Sequence, residues 1–222
     1  PAYKISSFEN VHLPLITKVA QTGKPVIIST GLATEEEIKE AVETLKIGGC
    51  NQFALLKCTS AYPASPEDSN ILTIPELRKN FNCEVGLSDH TMGIGVALAA
   101  ISHGATIIEK HFTLDRNDGG VDSSFSIEPE EMKILVKESI RTWQSLGKIS
   151  YGPTESEKDG IKFRRSVYIV EDMDSGEKLT KKNLRIIRPG KGLAPKYYDE
   201  LLGRKVNQKL KKGTALTWEM LK

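Results

Sequence analysis

IIEKHFTLDRNDGGVDSSFS, Ile107 to Ser126, begins as an apolar run, passes into Glu109-Lys110-His111, and ends in a loop of glycines, aspartates and serines. A strand that is apolar without alternation is covered on both faces, as in a parallel sheet. Outward from this stretch the same form recurs. YKIS precedes a helix near Leu13–Thr22, PVIIST precedes a helix from Thr34 to Lys46, and FALLKCTS, EVGLSDH and ATIIEKHF follow. Thr34 with Glu36 and Glu37 marks a helix start with acid in its first turn, and Gly48-Gly49 ends that helix. Apolar runs and amphipathic stretches alternate at about 25-residue spacing, which predicts an α/β fold. Five such units are the last part of a (β/α)8 TIM barrel, so a partial barrel is expected, with three opening units ahead of Pro1. Pro1-Ala2-Tyr3 carries no initiator Met and is already strand-like, so the chain reads as a fragment.

The composition is that of an ordinary soluble chain, 39% apolar over 222 residues, enough for one sizeable core and a small second one. No apolar run approaches the roughly 20 residues a membrane span needs, no signal peptide is present, and a cytoplasmic location is expected. Cys50, Cys58 and Cys83 show neither a disulfide framework nor paired metal-ligand spacing and read as buried thiols. Ile161–Lys222 holds 16 Lys and Arg against 7 Asp and Glu. That excess of nine, within an overall charge of +2, leaves the remainder negative by about 7. The basic residues are dispersed, without aromatic interleaving or a recognition-helix pattern, which argues against nucleic acid as a partner. SYGPTESEKDGIKF is polar with Gly and Pro and reads as a linker, giving domains at 1–147 and 163–222 around a linker at 148–162. The second domain, with turns such as DSGE and KKGT, is expected to be mostly β.

In a barrel of this type the C-terminal strand ends form the active-site face. All five strands end in polar groups: Lys4, Ser6, Ser7 and Glu9; Ser29 and Thr30; Lys57, Thr59, Ser60 and Tyr62; Ser88, Asp89 and His90; Glu109, Lys110 and His111. Any one of these suits a capping or solvated residue, but core packing does not call for five in series. His90 and His111 end adjacent strands and can aim two imidazoles at one point. Two neutral His ligands with positions left for water and substrate oxygens suit a catalytic Mn²⁺, Co²⁺ or Zn²⁺. His12 and His103 lack such company and read as surface residues. Lys4, Ser7, Thr59, Ser60 and Ser88 offer one cation and several hydroxyls, suited to a phosphate or carboxylate.

YKISSFE, PVIISTGLAT, LLKCTSAYP, VGLSDHT and IIEKHFTLDR, in this order, resemble the sialic acid synthase family, whose members condense phosphoenolpyruvate with an N-acetylated amino sugar. EDMDSGEKLTKKNLRIIRPGKGLAPKYYDELLG resembles the family's small antifreeze-like (SAF) domain. The resemblance lacks three opening βα units, which in the family carry a phosphoenolpyruvate-binding lysine. It implies that His90 and His111 hold a divalent ion, normally Mn²⁺, with Mg²⁺ or Co²⁺ as alternatives. It implies phosphoenolpyruvate contacts at Lys4, Ser7 and Ser88, a further polar contact near Ser60, and a positioning or proton-carrying carboxylate at Glu9. Tyr62 and Asp122 become candidates for sugar contacts. Arg188 in RPGKG corresponds to an arginine extended into the partner's barrel, which implies a homodimer with exchanged small domains.

Gly119-Gly120-Val121-Asp122-Ser123-Ser124-Phe125-Ser126 resembles the G-G-V-D-S-x-F-S of pseudaminic acid synthases more than the His-containing loop of sialic acid synthases proper. The implied sugar is 2,4-diacetamido-2,4,6-trideoxy-L-altrose, with N-acetylneuraminate or legionaminic acid synthesis as the alternative. The same loop also reads simply as a turn before a helix capped by Ser126, with Glu128, Pro129 and Glu130 in the first turn. Two readings of other classes stand beside these. One is a carbohydrate- or ice-binding module, which the lysine and arginine content of the small domain opposes; the other is a Schiff-base aldolase using Lys57 or Lys110.

Overall fold

β1 (Tyr3–Ile5), β2 (Val26–Ser29), β3 (Phe53–Cys58), β4 (Glu84–Asp89) and β5 (Ile107–Lys110) lie side by side in that order, all parallel. They belong to a computed structural model that describes residues 1–222 as two units, Pro1–Lys148 and Ile149–Lys222. Sequential parallel strands need a crossover between them, and α1 (Leu13–Ala20), α2 (Glu35–Ile47), α3 (Thr73–Phe81) and α4 (Gly95–Ser102) supply one each. α5 (Pro129–Leu146) follows β5. The result is the expected half-barrel, five strands with their helices.

α2 forms where the sequence places it. The Thr34 hydroxyl accepts from the Glu37 amide at 3.2 Å, and the Thr34 amide donates to the Glu37 carboxylate at 2.8 Å. This reciprocal cap satisfies two of the orphan donors of the first turn. Ile38, Ala41, Val42 and Leu45 then recur at helical spacing and are buried against the sheet. The core they join contains Ile28, Leu55 and Val85 from successive strands and Ile16 and Ile74 from other helices.

Gly86, inside β4, is required by close approach of the neighbouring strand. A Cβ there would collide with the Ile107 carbonyl oxygen and meet Leu56 Cδ2 at 2.7 Å. Both obstacles are core or backbone, so Gly86→Ala is expected to destabilise the first unit by about 1–3 kcal/mol through overpacking. A denaturant midpoint unchanged from wild type would refute this.

Two expectations are corrected. The residue capping α5 is Glu128, not Ser126: the Ile127 amide donates to His111 O and Ile127 O accepts from the Thr113 amide, so residue 127 is extended and delays the helix to Pro129. The Ser126 hydroxyl instead donates to Asp122 O at 2.7 Å. Cys50 and Cys58 are buried, but Cys83 is half-exposed at the start of β4. The polar stretch read as a linker carries a 3-10 helix over Glu155–Phe163 begun by a Thr154–Glu157 cap.

In the second unit β6 (Ser166–Ile169) pairs antiparallel with β7 (Leu184–Ile187), and single bridges such as Met173 with Leu210 tie the turns together. Val167, Ile169, Met173, Leu184, Val206 and Leu216 form its core. Its one α-helix, α6 (Tyr198–Leu201), is a single turn. No helix of the chain is long and apolar enough to cross a membrane.

Candidate active site

A hollow of about 240 Å³ opens at the C-terminal strand ends, lined by Lys4, Ser7, Ser88, Glu109, His90, His111 and neighbours including Tyr62 and Cys58. Hollows of 610 and 470 Å³ lie elsewhere, one at the strand starts and one beside α5; neither contains a histidine, and the chemistry points to the smaller one.

His90 and His111 have ring centroids 5.1 Å apart. Tyr62 lies 4.4 Å from the His90 ring and 5.9 Å from that of His111, and Phe125 closes the cluster 5.1 Å from His111. His90 Nδ1 is 2.9 Å from Thr59 O, a carbonyl that can only accept, so this nitrogen carries the proton and Nε2 keeps its lone pair. His111 Nδ1 lies 3.3 Å from Asp122 Oδ2, which favours the same tautomer. An imidazole whose Nδ1–H is held by a carbonyl or carboxylate is the arrangement found behind metal-bound histidines. The donor set therefore fits a divalent ion on the two Nε2 atoms. The chain gathers no group of three or more His, Cys, Asp and Glu around a point, so such an ion would keep open positions.

Burial pulls the His90 pKa down, but its bonds to Cys58 and the Thr59 carbonyl outweigh this and raise it. Burial lowers the His111 pKa, and His90 lowers it further. The adjoining Cys58 thiol would be pushed up by burial. Bonds with His90 and Ser7, the His90 charge and a bond with Ser60 instead bring it down to about 7.

The hydroxyl-rich half of the hollow is built around Gly31. Its amide donates to Ser7 Oγ at 3.0 Å, and a Cβ there would run into the hydroxyls of Ser60 and Ser7, so only glycine lets these groups converge. Lys4, from β1, reaches Glu109, from β5, at 3.2 Å, and the Ser29 hydroxyl donates to the same carboxylate at 3.4 Å. Edge strands that share no hydrogen bond thus meet through inward side chains, because the sheet curls.

Of the residues picked from sequence, Lys4, Ser7, Tyr62, Ser88, His90 and His111 line the hollow. Ser60 and Asp122 sit directly behind it through the contacts above. Glu9 is exposed and accepts a hydrogen bond from Ser6. Thr59 departs from its expected part: its hydroxyl donates to Asp68 O at 2.9 Å, and what it gives His90 is its carbonyl. Arg188, in the second unit, is exposed on a turn held by Ser166, whose hydroxyl donates to Pro189 O and accepts from the Gly192 amide, each at 2.8 Å. The sequence marks Glu109 only as a strand-end group; its register opposite Ser88 is the signal that points it to the hollow. His12 and His103 are exposed, as expected. Lys110 makes an ion pair at 2.8 Å with its side chain 2% exposed, which argues against a free nucleophilic amine.

Residues 1–151 match the NeuB family, and residues 164–222 match the SAF domain. The chain belongs to the NeuB family. It is 40% identical over 219 residues to the pseudaminic acid synthase of Helicobacter pylori, covering 98% of this chain and 64% of that protein. It is 39% identical over 222 residues to the N,N'-diacetyllegionaminic acid synthase of Legionella pneumophila, covering 97% of this chain and 62% of that one. Among solved structures, the N-acetylneuraminic acid (sialic acid) synthetase of Leptospira borgpetersenii superposes with a TM-score of 0.67 at 38% identity, over 73% of this chain and 57% of that chain. The chain thus spans a little under two thirds of the NeuB-family proteins it matches by sequence. The NeuB match covers the whole strand series that bears the site.

Proposed function

We propose that this protein condenses phosphoenolpyruvate with an open-chain acetamido sugar, adding water and releasing phosphate. The observation that supports the reading is the meeting of two imidazoles, each with its Nδ1 engaged, with Lys4 and several hydroxyls in one small hollow. His90 and His111 would hold a divalent ion, Mn²⁺ by family resemblance, which when bound supplies Lewis-acid polarisation of the sugar aldehyde. Lys4, Ser7, Ser60 and Ser88 hold the phosphate and carboxylate of phosphoenolpyruvate and keep its C3 facing the sugar. Orienting two substrates in this way removes much of the entropic barrier. Glu109, fixed by Lys4 and Ser29, is placed to take a proton from the water that adds at C2. Glu9 at the rim positions the sugar. No residue forms a covalent bond with substrate.

Relatives of both pseudaminic and legionaminic type stand at 39–40% identity, so overall similarity does not choose the sugar. The loop does. Phe125 places an apolar ring against His111 where a polar side chain would pair with a hydroxyl, and a 6-deoxy sugar has no hydroxyl at C6 to leave unpaired. Between 6-deoxy sugars, the resemblance of Gly119–Ser126 to the loop of pseudaminic acid synthases supports 2,4-diacetamido-2,4,6-trideoxy-L-altrose. The test is phosphate release from phosphoenolpyruvate by the full-length protein across a panel of acetamido sugars. Preference for the trideoxy altrose supports the assignment, preference for N-acetylmannosamine overturns the sugar, and no release with any sugar overturns the reaction.

Lys4→Met tests the anion site. A charge-assisted bond to phosphate contributes roughly 1.5–3 kcal/mol, so KM for phosphoenolpyruvate is expected to rise about tenfold or more while KM for the sugar stays near wild type. An unchanged phosphoenolpyruvate KM would leave Lys4 as no more than a partner for Glu109.

A further inference from the structure

Directly behind the histidines lies an ion pair that the proposed chemistry does not use. Asp89 and Lys110 are register partners on β4 and β5, each the residue just before a histidine. Ser88 and Glu109 alternate into the hollow, whereas Lys110, which also borders it, pairs its side chain with that of Asp89, the two being 2% and 1% exposed. Lys110 Nζ donates to Asp89 Oδ2 at 2.8 Å and to Thr91 O at 2.6 Å. Asp89 Oδ1 accepts from the Thr91 amide at 2.9 Å and the Thr91 hydroxyl at 2.7 Å. The chain is thereby folded tightly around His90 and stitched to the residue that precedes His111.

Stability is a weak reason for such a pair, because removing two charges from water costs about as much as their attraction returns, and apolar replacements are often neutral. Geometry is a better one. The geometry points to Asp89 and Lys110 as positioning residues: a buried ionic rung that holds the ends of β4 and β5 so that His90 and His111 present their Nε2 atoms to one point. This rests on reading the two histidines as the working pair. A fully satisfied buried network allows one arrangement, whereas two exposed strand ends joined only by ladder hydrogen bonds would fray.

The test replaces the rung by apolar side chains of similar size, D89L with K110M, in the full-length protein, so that no lone charge is left buried. Imidazole ¹⁵N NMR of the metal-free protein, at a pH where both rings are neutral, reads the tautomers without any ligand. Wild type is expected to show His90 as a single Nδ1–H tautomer. The double variant is expected to show a mixture, to melt close to wild type, and to bind Mn²⁺ about 10–100-fold more weakly by calorimetry, the range for loss of groups that orient metal ligands. A folded double variant with wild-type tautomers and wild-type Mn²⁺ affinity overturns the proposal. If the tautomers mix but wild type itself binds no Mn²⁺, the positioning role stands and the metal reading fails. Should the double variant not fold, T91V carries the test: it removes one bond to the same carboxylate and is expected to shift the His90 signals the same way, and unchanged signals count against the rung.

Discussion

His90→Ala and His111→Ala are each expected to lower phosphate release by the full-length protein at least about 100-fold, the scale on which removing one preorganised electrostatic contact acts. The expectation follows from the geometry. The rings stand 5.1 Å apart with both Nδ1 atoms engaged behind them, so neither can shift to replace the other. Alanine also removes an aromatic surface from the cluster with Tyr62, so a second comparison is needed. His90→Gln keeps the bulk and a polar end, and should remain far below wild type if the imidazole nitrogen is what matters. Chelation should abolish wild-type turnover, and added Mn²⁺ should restore it in wild type but not in either alanine variant. Full turnover by chelated His90→Ala protein would show that the metal assignment is wrong.

Mixing two inactive variants should restore activity if Arg188 serves the neighbouring subunit's site. Arg188 is exposed on a turn whose backbone is tied down by Ser166 and whose Gly192 lies so close to the Val167 carbonyl and Leu216 backbone that no side chain could be added. A guanidinium on so stiff a base loses little entropy when it binds an anion. With His111→Ala damaging the barrel and Arg188→Ala the small domain, a mixed dimer has one site with both lesions and one with neither. Each mixed dimer should therefore recover toward half of wild-type activity. If subunit exchange is verified by mass and nothing returns, Arg188 acts within its own chain or outside catalysis, and the exchanged-domain dimer is wrong.

What the sequence determined by itself was the local period of the strands and the cap of α2. PVIIST and ATIIEKHF are strands covered on both faces because they are apolar without alternation, and α2 begins at Thr34 because its hydroxyl and the Glu37 carboxylate can satisfy each other's amides. Polar groups following apolar runs were enough to locate the face that carries the site, and the adjacency of EVGLSDH and ATIIEKHF was enough to pair His90 with His111. The tertiary structure decided what depends on curl, register and competition for hydrogen bonds. Only the curled sheet brings Lys4 to Glu109, 105 positions away. Only the folded loop brings Asp122 to His111, and only the bridge at Ile127 moves the α5 cap from Ser126 to Glu128. Thr59 was chosen for its hydroxyl and serves through its carbonyl, because Asp68 O captures the hydroxyl in the fold. Asp89 and Lys110 read as two more polar strand ends, and only the strand register buries their side chains against each other. Period is written within a few residues, whereas which side chain meets which across a sheet is settled only when distant strands take their register.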